Sequence, residues 1–269
     1  MSYLGFLGTM GADFIDYVIG DKLVLPFDQQ PFWSEKIVHL PECFQVNDTK
    51  REIAQRTPTR KECGLPERDF VFCCFNNNYK ITPPFFDIWM RLLGKIEGSV
   101  LWLVRDNAAA ERNLRKEAAA RNVDPERLVF ADRWPLADHL ARLGLADLFL
   151  DTLPYNAGAT ASDALWAGLP VLTCLGRAFA GRMAASLLHA VGLPDLVTLN
   201  LEDYEALALK LAREPALFSA YRQRLQSNRL TAPLFDTDRF RRHLEQAYTT
   251  MLDIHDRGEK PRSFSVDPV

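Results

Sequence analysis

The stretch Leu150–Thr173 reads LDTLPYNAGATASDALWAGLPVLT. It leaves an apolar run at Asp151 and crosses a loop of small residues. A helical pattern follows up to Trp166, and a second apolar run begins after Pro170. Two readings of this connection stand side by side. It is a βαβ crossover whose glycines and hydroxyls serve packing and capping, or the start of its helix seats something anionic on unpaired N–H groups.

Working outward, the same alternation runs from about residue 69 to 199. FVFCCFN, VLWLV, LVFAD, DLFLDT, PVLTC and LVTLN are strand-length runs. Between them lie helical segments expected at 84–96, 108–121, 135–143, 160–166 and 178–191. The runs are apolar throughout instead of alternating, which is the pattern of strands covered on both faces. The fold class is therefore α/β, a Rossmann-like doubly wound parallel sheet. From Leu201 the pattern is helical: LEDYEALALKLAREP, then PALFSAYRQRLQSNRL, then DTDRFRRHLEQAYTTMLDIH with Asp236 or Thr237 as N-cap. The tail, DRGEKPRSFSVDPV, is polar and is expected to be loose.

The first 55 residues differ. FIDYVIGD and KIVHLP read as two strands, too few to close a domain. They either extend the main sheet or end a domain whose beginning lies elsewhere. The expected division is 1–55 with these two strands, 56–232 as the Rossmann-like unit, 233–256 as a C-terminal helix packing back toward the first segment, and 257–269 as tail.

Composition bounds the function. The 269 residues are 48% hydrophobic and 25% charged with a net charge of −3, an ordinary globular balance. That charge argues against a general nucleic-acid surface. No apolar run approaches the roughly 20 residues that cross a bilayer, and the start lacks a basic signal-peptide region. Cys43, Cys63, Cys73, Cys74 and Cys174 form no CxxC pair and have no histidine at zinc spacing. Reduced thiols in a cytoplasmic protein are expected, with no metal site.

Ligands of open α/β sheets bind beyond the carboxyl ends of the strands, and three segments there carry chemistry. In CCFNNNYKIT, Lys80 offers a compact cation at a strand end, suited to a diphosphate, or is a surface lysine in a turn. In ADRWPLADHLARLGLAD, Trp134 ends a strand while His139 and Arg142 share a helix face. A ring and a guanidinium could hold a planar base, or the histidine is incidental to an amphipathic helix. In the opening stretch, Gly158 precedes Thr160 and Ser162 at a helix start, a phosphate seat or an ordinary cap. Asp163, one turn on, could accept from sugar hydroxyls. Together these fit a nucleoside diphosphate. GxGxxG and GxxxxGK[ST] are both missing, so neither a dinucleotide fold nor a P-loop is supported.

LGTMGADFIDYVIGD, FWSEKIVHLPECF, GLPERDFVFCCFNNNYKI, SVLWLVRDN, DLFLDTLPYNAGATASDALWAGLPVLT, GRMAASLL and LFDTDRFRRHLEQAY carry a resemblance across nearly the whole chain. The chain resembles the C-terminal catalytic region of the O-linked N-acetylglucosamine transferase family (glycosyltransferase family 41), closest to its bacterial members. The resemblance implies the C-terminal lobe of a GT-B enzyme with the end of the N-terminal lobe. It implies inverting transfer of N-acetylglucosamine from UDP-GlcNAc to protein Ser/Thr hydroxyls, with no cofactor or metal. By the same resemblance Lys80 contacts the diphosphate with Asn77 beside it. His139 and Arg142 lie against uracil, Ala159 and Thr160 hold the phosphates, and Asp163 holds the ribose. The family's first lobe and tetratricopeptide repeats would precede residue 1, so this chain alone is expected to be incomplete.

Some residues depart from the family pattern. Animal members have a histidine and two threonines where this chain has Gly158, Ala159 and Thr160, and a ribose-side lysine where it has Leu136. Alternatives therefore stay open: GDP-fucose or UDP-glucose as donor on the same fold, or a non-catalytic nucleotide-binding or scaffold module.

Overall fold

Six of the apolar runs assemble into one parallel sheet, and their order decides where a ligand can sit. The computed structural model describes residues 1–268. Its main sheet comprises β3 (Val71–Cys74), β4 (Val100–Val104), β5 (Leu128–Ala131), β6 (Leu148–Leu150), β7 (Val171–Cys174) and β8 (Val197–Thr198). Their spatial order is β5-β4-β3-β6-β7-β8, every pair parallel. The chain builds outward from β3 to β5, then returns to place β6 on the other side of β3. That reversal is the switch point of a doubly wound sheet, the crevice where such folds bind ligands.

Helices α1 (Pro83–Lys95), α2 (Ala108–Ala119), α3 (Leu136–Leu143), α4 (Ala159–Trp166) and α5 (Met183–Ala190) make the crossovers, and α6 (Leu201–Arg213) and α7 (Pro215–Asn228) follow. Covered on both sides, β3, β6 and β7 are buried along their length. The helix expected over 178–191 is in fact a 3-10 turn at Phe179–Gly181 followed by α5. The reason is a close loop approach. Gly176 N–H donates to the Gly181 carbonyl at 2.6 Å, and a Cβ on Gly176 would stand 2.9 Å from that same oxygen.

The N-terminal strands form a sheet of their own. β1 (Tyr17–Asp21) and β2 (Lys36–Leu40) pair in parallel, and β9 (Phe264–Ser265) adds to β2. Alternation decides the two faces. Val18 and Ile37 join the main core, whereas Tyr17, Ile19, Val38 and Leu40 pack with Ala247 of α8 (Thr237–Asp256). The expectation of a loose tail is corrected here. Phe264 and Val266 flank Ser265 at period two, Val266 is buried, and Phe264 lies 6.2 Å from the Tyr17 ring. Three residues of alternation inside a polar segment are too short a signal to read locally. Val269 lies outside the described residues. Among those described, no helix is long and apolar enough to cross a membrane.

Candidate nucleotide site

The loops after β3 and β6 meet at the switch point, around a cavity of about 360 Å³. The first brings Asn76, Asn77 and Lys80 to its wall, and the second brings Tyr155, Gly158, Ala159 and Thr160. Lys80 is half-buried. Its Nζ donates to the Asn156 carbonyl at 2.9 Å and sits 3.7 Å from the Tyr155 ring centroid. Burial lowers its pKa, and the Asp151 charge pushes back. A cation held by a carbonyl and a ring face, instead of a carboxylate, retains its charge for a ligand.

Helix α4 begins opposite Lys80, at Ala159, with no side-chain cap. The capping alternative for Thr160 is thereby corrected: Thr160 lies inside the first turn, and its hydroxyl donates to Asn76 Oδ1 at 2.8 Å. The anion-accepting groups this end presents are backbone N–H groups and the positive end of the helix dipole.

A second group stands behind Phe75, a cavity-lining residue whose ring is 5.2 Å from that of His139. His139 Nδ1 accepts from Arg142 Nε at 3.1 Å and Nη2 at 3.0 Å. Because arginine only donates, this fixes the neutral tautomer with its proton on Nε2. Burial and then the Arg142 charge bring the His139 pKa down to about 4. The Arg142 guanidinium is 4.5 Å from the Trp134 ring, 5.4 Å from Phe75 and 5.8 Å from Trp102. An N–H donor, a guanidinium and the partly exposed Trp134 ring match the carbonyls and flat face of a nucleobase.

Asp163 lies apart from this arrangement. It does not line the cavity, and its carboxylate is in a half-buried ion pair with Arg51, which also reaches Ser162 Oγ. Burial raises its pKa and Arg51 lowers it. Arg51 was not foreseen, because nothing local in the sequence ties it to a helix 112 residues away. Asn76, Tyr155 and Asp151 were also missed as individual residues, although all three lie within quoted motifs and sit at strand ends where polar side chains are uncommon. Among the described residues no group of three or more His, Cys, Asp or Glu is placed to hold a metal.

A doubly wound Rossmann-like lobe with a cation and a bare helix start at its switch point has the architecture of one half of a GT-B glycosyltransferase. The family model for glycosyl transferase family 41 matches residues 1–58 and 52–244, and the chain belongs to that family. A protein of Arabidopsis thaliana, named "probable UDP-N-acetylglucosamine–peptide N-acetylglucosaminyltransferase SEC", is 41% identical over 99% of this chain and 28% of its own length. The UDP-N-acetylglucosamine–peptide N-acetylglucosaminyltransferase of Caenorhabditis elegans is 33% identical over 74% of this chain and 17% of its own length. Among solved structures, a mutant O-GlcNAc transferase of Thermobaculum terrenum superposes with a TM-score of 0.83 at 30% identity, covering 92% of this chain and 47% of that one. The chain thus spans less than a third of these curated relatives.

Proposed function

We propose that this chain is the donor-binding part of a protein O-GlcNAc transferase, taking UDP-GlcNAc for inverting transfer to Ser/Thr hydroxyls of proteins. The observation that carries the reading is Lys80, a cation with no carboxylate in hydrogen-bond contact that lines the same cavity as the uncapped start of α4. In this reading the diphosphate lies between them. The uracil rests on Trp134, whose ring the buried Arg142 backs, with its carbonyl taking the His139 Nε2 proton, and the GlcNAc faces Tyr79 and Asn77. The acceptor oxygen bonds to the anomeric carbon and releases its proton to solvent as the bond to the diphosphate oxygen breaks and its electron pair leaves with UDP. Lys80 and the α4 dipole stabilise the charge left on UDP, usually the largest catalytic term. The reading assigns no metal to the diphosphate, a protein substrate as acceptor, tetratricopeptide repeats as partners, and the cytoplasm as compartment.

The test is calorimetric titration with UDP and GDP in parallel, repeated with Lys80→Ala and with EDTA. UDP binding that weakens at least tenfold in the variant, about the worth of one charged contact, and that ignores EDTA supports the reading. Preference for GDP would move the donor to a guanosine sugar. Equal affinity in the variant would remove Lys80 from the site.

A further inference from the structure

Beneath the switch point lies a carboxylate that the reading above does not use. Asp151, the residue after β6, is fully buried. Its Oδ1 accepts from Ala157 N–H at 2.7 Å and Asn76 Nδ2 at 3.2 Å, and its Oδ2 from the Thr173 hydroxyl at 2.7 Å. Every one of these partners is a donor, so the arrangement suits the ionised form. The bonds also have directional consequences. Asn76 gives its second Nδ2 proton to Thr152 Oγ1 at 2.9 Å. With both amide protons spoken for, its Oδ1 can only face Thr160, whose hydroxyl donates to it. The Ala157 bond, meanwhile, pins the loop that feeds α4.

We propose that Asp151 is the positioning residue of this site. Through Asn76 and Ala157 its carboxylate sets the first turn of α4, beside the loop that carries Lys80. The proposal rests on the reading that a sugar-nucleotide diphosphate lies in this cavity. Asp151 touches no ligand and acts through the residues that would.

Removing a buried charge also changes what the remaining groups do with pH. Burial pushes the Asp151 pKa up to about 6, against the pull of Thr173, Ala157, Asn76 and the Thr152 backbone N–H. The other ionisable groups facing it are Lys80 and Cys74 from the β3 side, Cys174 of β7 and Tyr204 of α6. Burial raises the Cys74 pKa to about 12 and moves those of Cys174 and Tyr204 upward too. Lys80 is therefore the one charged partner near neutral pH. As Asp151 takes a proton, one of its donors loses its acceptor and Lys80 loses its counter-charge. Donor affinity then falls with pH through about 6, with His139 still neutral.

The experiment uses the 269-residue chain and two readouts. The first is UDP-GlcNAc affinity from pH 5 to 8; both of its phosphates are diesters, so the ligand itself does not titrate there, as UDP would. The second needs no ligand: trace acetylation by acetic anhydride at pH 7.5, with Lys80 quantified by mass spectrometry against exposed lysines. In Asp151→Asn, affinity at pH 7.5 should fall about tenfold and lose its pH dependence. Lys80 should acetylate several-fold faster, because without Asp151 more of it is the free amine. Unchanged affinity in the variant, or unchanged Lys80 labelling, overturns the proposal. Absence of UDP-GlcNAc binding to the unsubstituted chain, with Lys80 labelling still raised in the variant, would overturn the donor assignment while supporting the Asp151–Lys80 coupling. If Asp151→Asn fails to fold, Thr173→Val serves. It removes one donor and so should move the midpoint of the affinity profile upward, and an unmoved midpoint overturns the proposal.

Discussion

Consider the substitution Arg142→Met on α3. Arg142 is 2% exposed, and the partners of its guanidinium are the His139 ring nitrogen and three aromatic faces instead of an acid. Methionine keeps much of the stem in the same apolar surroundings. The change removes hydrogen bonds from a charged group, worth about 1.5–3 kcal/mol, and cation–π contacts worth about 1 kcal/mol. It also relieves the burial of an ion with no opposite charge beside it, a cost of several kcal/mol. These terms offset to within about 2 kcal/mol, so at roughly 2–4 °C per kcal/mol the melting temperature should move by less than about 8 °C. UDP affinity should nevertheless fall at least about tenfold. His139 provides an internal check. Freed of the adjacent positive charge, its pKa should rise from about 4 yet stay below 6.5, since burial remains. Calorimetry, thermal melting and NMR titration of the His139 ring read the three outcomes. A melting loss well beyond 8 °C would refute the reasoning by showing that the guanidinium ties the fold together. An unmoved His139 pKa would refute the electrostatic account.

The His139 contribution to stability should fall with pH between 6.5 and about 4, because the unfolded chain protonates His139 there and the folded chain does not. Asp151, raised to about 6, contributes the opposite slope below that value, so the His139 share is read as the difference from His139→Gln. The slope from this one group is about 1.4 kcal/mol per pH unit, and His139→Gln should flatten it in urea titrations across that range. Arg51→Met strands the half-buried Asp163 carboxylate and should cost about 1–3 kcal/mol at pH 7. Since Arg51 holds the Asp163 pKa down, the deficit should shrink as acid protonates Asp163; a deficit independent of pH would mean that the Arg51 guanidinium on the Trp166 ring, 5.7 Å from its centroid, matters more than the ion pair. Phe264→Ala removes the partly buried ring of β9 and should lower unfolding stability by about 1–2 kcal/mol, measured by urea denaturation; no loss would mean that the tail strand contributes nothing to the small sheet.

The sequence by itself determined the main sheet. A strand buried on both faces must be apolar throughout, and its connections must be polar and rich in Gly and Pro, so both signals are local and need no knowledge of neighbours. For the same reason Lys80, Gly158 and Thr160 could be assigned to strand ends, while Asn77 and Ala159 came from the family resemblance, and the cavity brings all five together. His139 and Arg142 could be placed on one face because helical spacing is local too. What only the tertiary structure decided are pairings between distant segments. Arg51 meets Asp163 across 112 residues, and Phe264 finds Val38 through a three-residue pattern. Thr160 turns from capping its own helix to Asn76, 84 residues away, because Asp151 and Thr152 have already taken both amide protons of Asn76. A hydroxyl or an amide can satisfy its hydrogen bonds in several ways with similar energy. Which one it adopts depends on the acceptors the fold brings within reach, and no stretch of sequence contains those.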